Sequence, residues 1–172
     1  MADLKSRVAR LRVPLGFLAG SLVLVIARPT LGTLAAGTLV AAAGEVIRVW
    51  AAGHLEKSRE VTRSGPYRWN RHPLYVGSTV MGLGIGIAAA SLPAAALIFL
   101  YLVTTYTAAI RTEEAFLRGA FGPAYDDYCA GQGRAVDRPF AWGRVRQNRE
   151  WRSVLGIGLV FLVLAAKAMW MA

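Results

Sequence analysis

The sequence predicts an all-α, polytopic integral membrane protein with about five transmembrane helices and a cytoplasmic amphipathic cap. Three observations predict it. The chain is 55% hydrophobic and only 17% charged, a balance that belongs to bilayer-embedded chains rather than to soluble domains. Pro73 to Ile110 is a run of 38 residues without one Asp, Glu, Lys, Arg or His, close to twice the roughly 20 apolar residues one spanning helix needs. The basic residues cluster in the segments between the apolar stretches, as in the loops of membrane proteins.

The elements follow in order. A first apolar helix is expected from about Leu11 to Ala27, ended by the turn signal Arg28-Pro29. It lacks a small-residue cleavage site and is followed at once by a second apolar stretch, so it does not read as a signal peptide. The second helix is expected from about Leu31 to Ala52, with Glu45 and Arg48 inside it. The third and fourth share the uncharged run. Ser91-Leu92-Pro93 is the expected turn between them, because proline disfavours helix before it and suits a first helical turn after it. Gly119 to Glu150 is too polar to cross; Gly122-Pro123 and Gly131-Gln132-Gly133 break it into short pieces that form the interfacial cap. The fifth helix is expected from about Ser153 to Trp170. The chain reads as a single membrane domain over residues 1–172.

Charge placement predicts the orientation. With five crossings, 17 of the 20 Lys and Arg residues fall on one face; Arg28 and Lys167 fall on the other, and Arg48 lies inside a helix. By the positive-inside rule the N-terminus is expected in the cytoplasm and the C-terminus on the opposite face. The net charge of +10 is therefore a membrane-topology signal. Without an alternating basic and aromatic ribbon it does not point to nucleic acid. The single cysteine, Cys129, excludes an internal disulfide. His54 and His72 are the only histidines, with no HExxH-like spacing or Cys pair for zinc.

The residues able to carry chemistry gather at the ends of the uncharged run. Before it stands Ser64-Gly65-Pro66-Tyr67-Arg68-Trp69-Asn70-Arg71-His72-Pro73-Leu74-Tyr75; after it stands Arg111-Thr112-Glu113-Glu114. An apolar hairpin brings both to one membrane face, as a basic and an acidic wall. Adjacent carboxylates on a helix point about 100° apart, so Glu113 and Glu114 are expected to face different ways. Carboxylates at the C-terminal end of a helix oppose its dipole and call for a cationic partner. Glu45 and Arg48, at i and i+3, either pair with each other or line the pocket. His54 is expected at the interface. Gly82-Leu83-Gly84 reads as a helix-packing face or as a backbone contact to a cofactor.

In order and spacing these residues resemble one family. Gly44-x-x-x-Arg48-x-Trp50-Ala51-x-x-His54-Leu55 comes first, then Val61-Thr62-Arg63-Ser64-Gly65-Pro66-Tyr67, then Arg71-His72-Pro73-Leu74-Tyr75-Val76-Gly77. Arg111-Thr112-Glu113-Glu114-x-x-Leu117-x-x-x-Phe121-Gly122-x-x-Tyr125-x-x-Tyr128 completes the series. Together they resemble the isoprenylcysteine carboxyl methyltransferase and phospholipid N-methyltransferase superfamily. The resemblance covers residues 44–140 as a methyltransferase-like core and leaves 153–170 as an additional C-terminal transmembrane helix. It carries no signal before Gly44.

The resemblance implies an integral membrane enzyme that uses S-adenosylmethionine on the cytoplasmic side. Arg71 or Arg68 would meet the cofactor's carboxylate, and Glu114 or Glu113 its ammonium or ribose. Tyr75 with Pro73 would lie against adenine or ribose, and His72 would close the pocket. Gly82 and Gly84 are further candidates for cofactor contact. His72, Arg71, Glu113 and Glu114 are the candidate catalytic residues. The partners implied are membrane lipids and a lipophilic small-molecule or lipid acceptor, bearing either a carboxylate or an amine. Two other readings compete: an NADPH-dependent membrane reductase of the sterol-reductase type, and a non-enzymatic membrane scaffold.

Overall fold

The structure, a computed structural model of the chain, describes residues 2–132 and 136–171, with side chains from Pro14 onward. Arg134 and the side chains of Lys5, Arg7, Arg10 and Arg12, which enter the charge asymmetry, lie outside the described residues. All regular structure among the described residues is helical.

Helix α1 (Ala2–Ile26) contains Pro14, and its apolar part is Pro14–Ile26. Helix α2 (Leu31–His54) starts on a reciprocal cap. Thr30 Oγ1 accepts the Thr33 N–H at 3.2 Å, and Thr33 Oγ1 accepts the Thr30 N–H at 3.0 Å, satisfying amides that a helix start leaves open. Helix α3 (Pro73–Ala89) begins with proline in its first turn and ends on Ala90 in the left-handed region at φ 46°. Helix α4 (Leu92–Phe121) follows directly, capped by Ser91. The turn is thus Ala90-Ser91, just ahead of the expected position, because Pro93 fits inside the new helix.

Helix α4 corrects the reading of its far end. It runs past the apolar stretch to Phe121 and stops at Gly122, φ 49°, before Pro123. Glu113 and Glu114 are therefore two turns inside the helix, not at its C-terminus. The extension is helical because it is rich in good helix formers and carries a Glu114–Arg118 pair at i, i+4, 3.9 Å. Short helices α5 (Pro123–Cys129) and α6 (Trp142–Gln147) make up the cap, and α7 (Trp151–Met171) closes the chain.

By length and composition α2, α4 and α7 are long and apolar enough to cross a membrane; Pro14–Ile26 and Pro73–Ala89 are shorter apolar helices. At 17 residues, α3 is about 25 Å long and sits at the lower end of the spanning range. The helices turn lipid-sized side chains outward, such as Phe17, Leu39, Phe99 and Leu162, and bury alanine and glycine. That is how helices associate where the solvent is itself apolar. The tightest pair is α2 with α3. A Cβ on Gly44 would lie 2.6 Å from Gly77 O and Met81 N, and one on Gly84 would lie 2.6 Å from Gly37 O.

The bundle has two unlike ends. At one, the ends of α1 and α3 and the start of α4 meet through Val23, Ala27, Ala88, Ala89 and Ala94, with Leu164 of α7. Arg28 N–H donates to Ala89 O at 2.7 Å, and Lys167 Nζ donates to Leu24 O and Val25 O at 2.8 and 2.6 Å. The lysine thereby satisfies open carbonyls at the C-terminus of α1. The other end holds the charged loops, α5, α6 and the exposed ring faces of Trp50, Trp69, Trp142 and Trp151, as an aromatic belt at headgroup depth does.

Candidate active site

At the charged end the segment between α2 and α3 is folded into a fixed shape. Gly65 adopts φ 55°, and a Cβ there would lie 2.6 Å from His54 Cγ. Only glycine suits both the backbone and the space. Gly65 opens a 3-10 turn, Gly65–Arg68, with Pro66 setting its start. His54 lies beneath it, 6% exposed, with Nδ1 3.2 Å from Ser64 Oγ and its ring edge-on to Phe140. The interfacial placement expected for His54 is thus corrected: the glycine turn folds over it and buries it. Helix α5 pins the other side. Tyr128 Oη donates to Tyr67 O at 2.8 Å, Arg63 donates to Ala124 O, and the Arg63 guanidinium lies 5.8 Å from the Tyr128 ring centre. Burial pushes the Tyr128 phenol up to about 12 and raises that of Tyr67 as well, so both hydroxyls stay neutral in ordinary conditions.

This shape aims Arg71 and His72 at α4. His72 caps α3, its own N–H held by Asn70 Oδ1 at 2.6 Å. His72 Nε2 lies 3.2 Å from Glu114 Oε1, and Arg71 Nη1 lies 3.3 Å from the same oxygen. Arg71 Nη1 also donates to Cys129 Sγ at 3.2 Å. On the other ring edge His72 Nδ1 is 4.0 Å from Glu113 Oε2. The two adjacent carboxylates thus flank one imidazole and do different things. Glu114, 20% exposed, is held by Arg71, His72 and Arg118. Glu113, 46% exposed, opens onto a cavity.

That cavity has a volume of about 790 Å³ and lies between the α2–α3 loop, α3, α4 and α5. Arg71, His72, Pro73, Tyr75 and Glu113 line it. Tyr75 packs edge-on against His72 at 5.9 Å and Tyr106 at 5.0 Å between ring centres. One wall is aromatic; the rim holds a cation and an acid.

Other expected residues are not brought there. Arg68 points outward, 3.4 Å from Asp137 Oδ1, because the 3-10 turn places it on the solvent side. Gly84 is taken up by contact with the α2 backbone, and a Cβ on Gly82 would lie 2.7 Å from Leu102 Cδ1 on α4. Both belong to helix packing away from this cavity.

The cavity's inner end holds what sequence reasoning did not find. Arg48 Nη2 and Nε lie 2.6 Å from Glu150 Oε1, and Arg48 donates to Ser78 Oγ and to Leu74 O. Glu45 Oε2 is 4.0 Å from Arg48 Nε and accepts from Ser153 Oγ at 2.9 Å. The expected Glu45–Arg48 pair is thus the longer of two, and Arg48 also lines the cavity. The signal for Glu150 was its isolation: it is the only carboxylate after Asp137, inside a cationic stretch. Among the described residues no group of three or more His, Cys, Asp or Glu side chains is arranged to hold a metal ion.

Comparison with known proteins adds to this geometry. The sequence model of the phospholipid methyltransferase family matches residues 23–124, starting well before Gly44. A cobalt-zinc-cadmium resistance protein, CzcN, of Cupriavidus metallidurans is 39% identical over 102 residues, 58% of this chain and 46% of that protein. A nickel-cobalt-cadmium resistance protein, NccN, of Alcaligenes xylosoxydans is 38% identical over 97 residues, 55% of this chain and 45% of that protein. The protein-S-isoprenylcysteine O-methyltransferase of Schizosaccharomyces pombe is 30% identical over 98 residues, 57% of this chain and 42% of that protein. The chain spans less than half the length of these curated relatives. No solved structure matches.

Proposed function

This chain belongs to the phospholipid methyltransferase family, and from that premise we propose that it transfers a methyl group from S-adenosylmethionine to a lipophilic acceptor at the cytoplasmic membrane face. The observation that carries the proposal is the cavity in which Arg71, Glu113 and the Tyr75 wall converge. Its volume of about 790 Å³ falls in the range of small-molecule sites. Its chemistry suits a zwitterionic amino acid joined to a nucleoside. Arg71 would hold the carboxylate, Glu113 the ammonium or a ribose hydroxyl, and Pro73 and Tyr75 the adenine or ribose. His72, fixed between the two carboxylates, keeps that rim in register.

Bound S-adenosylmethionine would supply an electrophilic methyl group on a positively charged sulfur. The chain's part is to hold donor and acceptor aligned and to keep water out. The aromatic wall and the bilayer do the second. A carboxylate acceptor needs no base; an amine must first lose its proton to a base such as a carboxylate, and Glu56 and Glu60 line the cavity besides Glu113. The lipophilic part of the acceptor would come from the bilayer, between helices. The charge asymmetry supports a cytoplasmic site, since the cavity lies at the basic end. The metal-resistance relatives share less than half their length with this chain, and the methyltransferase reading rests on the family and the cavity instead.

The test is calorimetric binding to detergent-solubilised protein. S-adenosylhomocysteine is expected to bind and raise the melting temperature, and NADPH is not. Binding of NADPH alone would favour a reductase; binding of neither would remove the proposal. Glu113→Gln is expected to weaken S-adenosylhomocysteine by roughly 1.5–3 kcal/mol, the loss of a charge-assisted hydrogen bond, with little change in apo stability. Glu114→Gln is expected to lower apo stability as well, because Arg71 and His72 both lean on Glu114.

A further inference from the structure

A second cavity, of about 720 Å³, runs down the bundle between α1, α3, α4 and α7. Its length is apolar, with Leu24, Ile85, Ile98, Leu102 and Val160 along it. Gly20 widens it: the residue is exposed, and a Cβ there would meet nothing within 4 Å. At its charged end the lining changes to Arg149 and Arg152, beside Asn148, Ser153 and the Glu150 carboxylate, which is taken up by Arg48 at 2.6 Å.

These two arginines differ from those around the first cavity. Arg48 and Arg71, which line it, each face a carboxylate. Arg149 and Arg152 have no carboxylate partner among the described residues; Arg152 lies 5.4 Å from the Trp151 ring centre. Both are exposed at the level of the aromatic belt. Arg149 also sits in the left-handed region, φ 58°, where glycine would be the less strained choice.

An apolar slot roughly 12 Å deep, less than one leaflet, ending in two guanidinium groups without a carboxylate partner at the level of the aromatic belt, complements one kind of molecule. We propose that this groove binds an anionic membrane phospholipid, with its phosphate-bearing headgroup on Arg149 and Arg152 and an acyl chain between α1, α3, α4 and α7. Basic pockets between helices on the cytoplasmic side recognise anionic headgroups by this combination of charge and chain burial. The groove shares Arg48, Ser78, Tyr101 and Tyr106 with the first cavity, so the bound lipid would lie against the inner end of the candidate active site. The inference stands on the groove and does not depend on methyl transfer.

The experiment places the full chain in nanodiscs of equal phosphatidylglycerol and phosphatidylcholine, then weighs the retained lipid by native mass spectrometry. Phosphatidylglycerol is expected to be enriched roughly tenfold over phosphatidylcholine, as two arginines near an anionic headgroup imply. Arg149→Gly combined with Arg152→Gln is expected to bring the two lipids to parity. The glycine relieves the backbone at 149, so retained helicity by circular dichroism is expected alongside. Gly20→Leu, whose side chain would enter the groove, is expected to reduce retention of both lipids. Parity in the unmodified protein overturns the proposal, and so does enrichment that survives the double substitution. S-adenosylhomocysteine binding, measured on the same samples, reports separately on the methyltransferase reading.

Discussion

Glycine does opposite things on the two sides of this bundle. Between α2 and α3 it removes space: Gly37, Gly44, Gly77 and Gly84 bring the two backbones into contact. At Gly20 of α1 and at Gly156 and Gly158 of α7 it leaves space: a Cβ there would meet nothing within 4 Å, although one on Gly16 would lie 2.7 Å from Tyr101 Oη. The contrast follows from the chemistry at the charged end. Arg48 leaves α2, and His72 caps α3, so the α2–α3 contact sets the distance between the inner end of the cavity and its rim. The α1–α7 side carries no such constraint and keeps a groove. The residue type is the same, and the neighbouring helix decides what it means.

The sharpest way to break the contrast is to put a side chain into the close side. Gly44→Leu would push its Cβ to 2.6 Å from the backbone of Gly77 and Met81, where nothing can rotate away. Overpacking of this kind costs about 1–3 kcal/mol in cores that can adjust, and here backbone meets backbone, so the loss is expected at or above that. The melting temperature should fall and S-adenosylhomocysteine binding should vanish with it. A folded, binding-competent Gly44→Leu protein would show that the contact does not set the site.

How much of this was legible in the sequence depends on the range over which each feature is encoded. Helix number, the hairpin turn and the segregation of charge are local: a run of apolar residues, a proline, a count of arginines. They were readable because lipid demands them within one helix length. The end of α4 was not, because hydropathy reports where lipid stops, whereas the helix continues to Phe121 on propensity and the Glu114–Arg118 pair. The assignment of Glu113 to the cavity and Glu114 to Arg71 and His72 needs the rotation of α4, which no residue pattern states. The placement of Arg68 outside depends on the 3-10 turn, and the burial of His54 depends on Gly65 folding over it. The Arg48–Glu150 pair joins residues 102 positions apart, beyond the reach of any periodicity.

That pair is the next test, because it ties the open side to the close one. Glu150 lies just before α7 and is 5% exposed. Glu150→Ala leaves the Arg48 guanidinium without its shorter carboxylate partner, with only Glu45 at 4.0 Å. Breaking a buried pair from one side costs about 3–5 kcal/mol. The Glu45 carboxylate and the partial exposure of Arg48 should hold the observed loss at or below the lower end. The measurement is chemical or thermal unfolding in detergent. If Arg48→Met combined with Glu150→Leu recovers most of the loss, the pair fixes geometry rather than supplying net stability, which is what an interior ion pair commonly does. If the single substitution is silent, α7 does not support the site.

The smallest effect is expected where glycine only leaves space. Gly156 lies on α7, is exposed, and has open surroundings for a Cβ. In Gly156→Ala no contact is lost and none is forced. What changes is the chain's freedom, since alanine holds a helix better than glycine by about 0.5–1 kcal/mol. Part of that gain shrinks in a bilayer, where the unfolded reference is itself helical. The expected result is a melting temperature equal to or slightly above the parent, with S-adenosylhomocysteine affinity unchanged. A clear loss of stability would mean that α7 meets another surface at Gly156, a lipid or a second helix, and that the space on this side is filled in the membrane.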